Sequence, residues 1–179
     1  MPNIRPIVAH LHRAQLKLLR AADTIPADQW KIRPHEEAWS AGEVVAHLIT
    51  IERTILTHAD RIRQKSPRPV PFLKRLHLPL ALVESRLIRR KTPIPIDNTL
   101  LSQKEEMLAE LRIVREQLLA FLSKTKEQDL RAYRWRHPFI GMLTTYEWFH
   151  MIASHELRHT KQILEIASNL PKHVGTRQK

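Results

Sequence analysis

Residues Thr144 to Asn169, TTYEWFHMIASHELRHTKQILEIASN, decide how the chain is read. Thr144 and Glu147 form a T-x-x-E pattern, in which hydroxyl and carboxylate each satisfy a free backbone N–H at a helix start. From there Trp148, Met151, Ile152, His155, His159, Gln162, Ile163 and Ile166 recur at spacings that place them on one broad stripe of a helix. The helix ends near Asn169, before Pro171. Two imidazoles thus fall on an apolar face, where an imidazole without a partner is costly to bury. Four residues is about one helical turn, so His155 and His159 project the same way and can converge on one ion.

Three further segments repeat the helical pattern. Asn3 to Ala22 aligns Ile4, Ile7, Leu11, Ala14, Leu18 and Ala21. A polar stretch with Trp30 and Pro34 reads as a loop. Ser40 and Glu43 then form a second capping box. Val44, His47, Leu48, Ile51 and Ile55 share the inward face of the helix that follows, to about Gln64. The third helix starts near Ser102, with Glu105 three residues on. It faces inward with Met107, Leu108, Leu111, Val114, Leu118 and Leu122, while Lys104, Glu106, Glu110, Arg112 and Glu116 lie mostly on its other sides. No strand is apparent between these segments. The expected fold is all-α, a four-helix bundle.

Composition agrees. The 179 residues are enough for one domain, and they contain 3 glycines against 12 prolines, which favours helices joined by proline-marked connections. The absence of cysteine excludes disulfides and thiolate metal sites. No apolar run approaches bilayer length, and the N-terminal MPNIRPIVAHLHR lacks a signal-like apolar stretch, so no membrane association and a cytoplasmic location are expected. The net charge is +12, from 30 Lys and Arg against 18 Asp and Glu, and it permits an anionic partner without selecting one.

Residues 66 to 97 depart from the pattern. They hold six prolines and a basic set comprising Arg68, Lys74, Arg75, Arg86, Arg89, Arg90 and Lys91. The middle, LALVESRLIRR, suits a short helix, and the segment reads as a basic, proline-rich crossover between the second and third helices. Residues 172 to 179 read as a frayed tail.

His47 lies on the inward stripe of its own helix, so three core-facing histidines on two helices form a candidate metal site. A lone core histidine more often hydrogen-bonds a carbonyl, and periodicity alone supports His47 least. His150 stands ~140° around the helix from His155 and is excluded from the site. His10 and His12 point to different sides of the first helix, and His58 reads as a helix-end or core residue. His137, before Pro138 in an extended loop, is placed to approach the mouth of the site. His137 and Trp148 are the candidate substrate contacts.

His155-Glu156-Leu157-Arg158-His159 also spells H-E-x-x-H, the zinc-protease signature. The chain has no suitable downstream ligand: Glu165 falls on the wrong side of the same helix, and His173 follows Pro171. Glu156 remains a candidate catalytic group, able to orient a nucleophile or take a proton. The competing reading makes it a solvent-facing residue paired with Arg158 or a neighbour.

Two stretches, AWSAGEVVAHLITIER (residues 38–53) and GMLTTYEWFHMIASHELRHTKQI (residues 141–163), resemble the DinB-like superfamily of metal-binding four-helix bundles. They share the tryptophan before the helix cap, one upstream histidine, and an H-x-x-x-H pair followed by Gln-Ile. The resemblance implies one DinB-like bundle domain across residues 1–179, binding a divalent metal (zinc or nickel foremost) through His47, His155 and His159. It further implies kinship with thiol-dependent transferases and isomerases that use a low-molecular-weight thiol, and with several homodimers; the open position on such a metal suits a transferase or hydrolase acting on a small-molecule substrate. Nitrogen ligands alone do not select the metal. The competing function is a basic binding module for nucleic acid or another polyanion through residues 66–97, with a structural metal. Against it stand the near absence of aromatic residues among the basic ones and of any recognised nucleic-acid motif.

Overall fold

The computed structural model describes residues 2–67, 79, 81–84 and 98–171, and four long helices carry most of them. They are α1 (Arg5–Asp23), α2 (Ala41–Arg63), α3 (Lys104–Lys124) and α4 (Thr145–Asn169). α1 packs along α4, and α2 packs against both α3 and α4. The expected all-α bundle is observed. Two helix starts form as the spacing requires: Ser40 and Glu43 close a reciprocal cap on α2, and Thr144 and Glu147 do the same on α4. Glu43 is additionally held by Arg33, whose Nε donates to its carboxylate at 2.9 Å.

Two local expectations need correction. α3 begins one residue later than Ser102 suggests. The Ser102 amide is still bonded to the Leu100 carbonyl at 2.9 Å, so Gln103 becomes the N-cap and its amide donates to Glu106, not Glu105. The stretch before α4 is not an extended loop but a hairpin, in which β1 (Arg134–His137) pairs antiparallel with β2 (Gly141–Thr144). Its four-residue strands are too short to show periodicity in sequence. Gly141, at φ 107°, turns the chain where a side chain would be strained. The hairpin is fastened to the bundle by Thr145 N–H donating to the Tyr133 carbonyl and Trp148 Nε1–H to that of Trp135.

Of the crossover, a helical turn (Ala81–Glu84) lies against α4. The basic residues Arg68, Lys74, Arg75, Arg86, Arg89, Arg90 and Lys91, the remainder of the expected LALVESRLIRR helix, and the 172–179 tail lie outside the described residues. No described helix is long and apolar enough to cross a membrane.

The core divides into two apolar clusters. One gathers Leu18, Val44, Leu48, Met107, Leu111 and Ile163 around Trp30, and the other gathers Ile7, Leu11, Ile55, Leu118, Phe149 and Ile152. Polar residues occupy the waist between them. Arg115 of α3, only 1% exposed, reaches all three other helices there. Its Nη1 donates to the Leu11 carbonyl of α1 at 2.7 Å, its Nε to Glu52 of α2 at 2.7 Å, and its Nη2 to Glu156 of α4 at 2.9 Å. Both carboxylates are buried with it.

Removing one member of a buried ion network strands the charges that remain, at a cost of about 3–5 kcal/mol. Arg115→Ala is therefore expected to lower the unfolding free energy by about that amount in chemical denaturation. A loss below about 1 kcal/mol would contradict the assignment of Arg115 as the tie between the helices.

Candidate metal centre

His47 faces inward from α2, while His155 and His159 face it from one turn of α4. Each of the three offers a ring nitrogen within 4.8 Å of one from each of the others. The His47 ring centroid lies 5.2 Å from those of both His155 and His159, which are 4.5 Å apart. His155 Nε2 and His159 Nε2 approach to 3.1 Å. At a metal–nitrogen length near 2.0–2.1 Å, that separation corresponds to a ligand–metal–ligand angle of about 95–100°.

The protonation states suit a cation. Burial lowers the pKa of His47 to about 4. His155 is lowered well below its ordinary value, first by burial, then by His159, His47, Arg158 and His137. Both imidazoles therefore keep lone pairs at neutral pH. His47 Nδ1 is buried without a hydrogen-bond partner, an expense that ligation of the ring would help to offset. The carbonyl oxygen of Gln162 lies 2.8 Å from His159 Nδ1, one turn along α4. That bond fixes the proton on Nδ1 and turns the Nε2 lone pair toward His155, as an outer partner does in a metal site.

One wall is aromatic. Trp39, immediately before the α2 cap, lies parallel to the His159 ring at 6.3 Å and tilted against His47 at 5.2 Å. His47 and His159 are buried and His155 is half-buried. The hairpin brings His137 within electrostatic reach of His155. His137 Nδ1 accepts from the amides of Phe139 and Ile140 at 3.1 and 3.3 Å, which leaves its proton on Nε2. Burial lowers its pKa. Trp148 is buried, stacked on Trp135 at 4.9 Å, and supports the His137 ring at 5.1 Å. His58 packs against Trp135 at 4.8 Å, tilted 42°.

Glu156 is not at the surface. Its carboxylate is 1% exposed and engaged by Arg115, with burial foremost raising its pKa to about 7. Next to His155 in sequence, it points into the waist because adjacent helical residues diverge by ~100°. Two members of that waist carry a signal in the sequence: Glu52 interrupts the stripe Leu48, Ile55, Ala59, and Arg115 interrupts Leu111, Leu118, Leu122. His150, set apart by its angle, does face away from the centre, toward His10 of α1.

A sequence model of the DinB superfamily matches residues 10–163. The uncharacterized protein YuaE of Bacillus subtilis (strain 168) is 31% identical over 142 residues, which cover 78% of this chain and 84% of the relative. No solved structure matches the chain.

Because burial holds the folded-state pKa of His47 below its ordinary 6.5, the unfolded chain takes up a proton first as pH falls. Metal-free protein should lose stability between pH 6.5 and about 4, with His47 alone accounting for ~3 kcal/mol of the loss. Denaturation across that window should show a smaller loss in His47→Gln. Identical pH dependence in the two proteins would contradict a buried neutral imidazole.

Proposed function

The chain belongs to the DinB superfamily, and from that premise we propose that it is a metal-dependent enzyme activating water or a low-molecular-weight thiol against a small electrophilic or hydrolysable molecule. The observation that carries this reading is the meeting of three imidazoles from two helices. His47, His155 and His159 would hold the ion, and the family resemblance, not the nitrogen ligand set, puts zinc or nickel first. Such an ion lowers the pKa of a water or thiol brought to it, so that a nucleophile forms near neutral pH.

The chain's own residues supply orientation. Gln162 keeps the His159 lone pair directed at the centre. Trp39 shields one side from water. The fixed Nε2–H of His137 is a hydrogen-bond donor for a substrate oxygen or leaving group at the mouth, and Trp148 keeps that ring in place. Trp148 acts through His137, since its own ring is covered by Trp135. Glu156 is assigned to holding Arg115, from which its Oε2 accepts, while Oε1 is buried without a hydrogen-bond partner.

The test begins with metal. Protein equilibrated with zinc or nickel and passed through gel filtration should retain about one equivalent, as a three-histidine site does, and His47→Ala should retain less than about a tenth of one. The loaded protein should consume a thiol in the presence of an alkylating electrophile, or hydrolyse an activated ester, faster than His155→Ala does. Metal retention equal in wild type and His47→Ala, or rates equal in wild type and His155→Ala, would refute the proposal.

A further inference from the structure

A second pair of histidines meets on the opposite side of α4. His10 of α1 and His150 of α4 bring their Nδ1 atoms to 3.2 Å, with the rings tilted 42° and 5.5 Å apart. Both rings are only part-buried, so an ion and its water can reach them. The pair shares no residue with the centre formed by His47, His155 and His159.

The surroundings are those of a ligand pair. The far nitrogen of His10, Nε2, lies 3.8 Å from a carboxylate oxygen of Glu84, in the turn Ala81–Glu84. That carboxylate is itself positioned, since Ser154 Oγ donates to it at 3.2 Å. The Glu84 backbone carbonyl accepts from Lys161 Nζ at 3.2 Å. A carboxylate behind one ring nitrogen favours the tautomer with the proton on that nitrogen. At 3.8 Å the Glu84 carboxylate acts on the His10 ring through charge and not through a hydrogen bond, and the 3.2 Å contact carries one proton between the two Nδ1 atoms, which an ion held there would displace. Burial and the neighbouring His150 lower the His10 pKa, and burial lowers that of His150, so both rings favour their neutral form. At metal–nitrogen lengths near 2.0–2.1 Å, a 3.2 Å separation spans about 100–106° at a single ion, close to the tetrahedral angle.

We propose that His10 and His150 form a second metal site, which takes a divalent first-row transition ion, copper(II), zinc(II) or nickel(II), with Glu84 as the residue that orients His10. Nitrogen donors select these ions over magnesium or calcium, and copper(II) should bind tightest. Two protein ligands leave the remaining positions to water, so the ion is exchangeable and is lost on gel filtration while the three-histidine centre keeps its own. A bound ion joins α1 to α4 directly. Through Glu84 it also fastens the end of the crossover turn to the same groove.

Calorimetric titration of zinc(II), and separately copper(II), into protein already holding its gel-filtration-stable equivalent tests this. Wild type should take up one further equivalent, and His10→Ala and His150→Ala should take up none. His150→Gln, which keeps a polar side chain of similar size in the helix contact, should fail in the same way. His47→Ala lacks the first site and should still bind one equivalent, which disappears in the His47→Ala, His150→Ala double variant. This arm separates failure of the second site from failure of the first. Glu84→Gln should weaken the second equivalent by about 10–100-fold with an unchanged melting temperature. The site is overturned if wild type binds no further equivalent, or if His10→Ala and His150→Ala both keep it. Unchanged affinity in Glu84→Gln overturns the orienting role of Glu84.

Discussion

The guanidinium of Arg115 is the constraint on which the arrangement rests. It is buried at the middle of the bundle and bonded to one group on each of the other three helices. Apolar packing tolerates sliding of one helix along another, whereas hydrogen bonds of 2.7–3.0 Å to fixed acceptors do not. The two carboxylates it grips lie on α2 and α4, the helices that carry the three histidines. Glu52 is about one turn from His47, and Glu156 is the neighbour of His155. Setting the register of these helices through Arg115 therefore also sets the distance between the imidazoles.

The interior carries two kinds of polar group, and they solve burial differently. Arg115 and its carboxylates neutralise one another, and the pKa of Glu156, raised to about 7, relieves the excess negative charge of two carboxylates on one cation. The histidines instead give up their charge altogether: burial keeps His47 and His155 neutral. Neutral rings with inward lone pairs suit a cation and suit little else in an apolar interior. Around them the chain adds direction: Gln162 behind His159, Trp39 across one side, and a hairpin that delivers His137 with its proton on a defined nitrogen. The hairpin's short strands serve position more than stability, since they bring His137 toward His155 from outside the bundle.

Much of this was legible in the sequence, for physical reasons that can be named. Long amphipathic stripes and two complete capping boxes specify helices by local chemistry, so the four helices and the starts of α2 and α4 were readable. The histidine triad was readable because an imidazole on an apolar stripe is conspicuous. The hairpin was not, because four-residue strands leave no period to detect and their pairing depends on Trp148 and Thr145 holding them to α4. The burial of Glu156 was not legible, because motif reading attends to spacing along one helix, while its partner Arg115 comes from another. The approach of His10 to His150, 140 residues apart, likewise depends on how α1 packs along α4.

The central claim concerns the identity of three ligands, and X-ray absorption at the metal edge of the gel-filtered holoprotein addresses it directly. Three imidazole nitrogens at about 2.0–2.1 Å, with the outer-shell scattering of intact rings, are the predicted result for bound zinc. A shell made of oxygen donors with one imidazole or none would contradict the account, because the residues brought together in the interior would then not be those that bind.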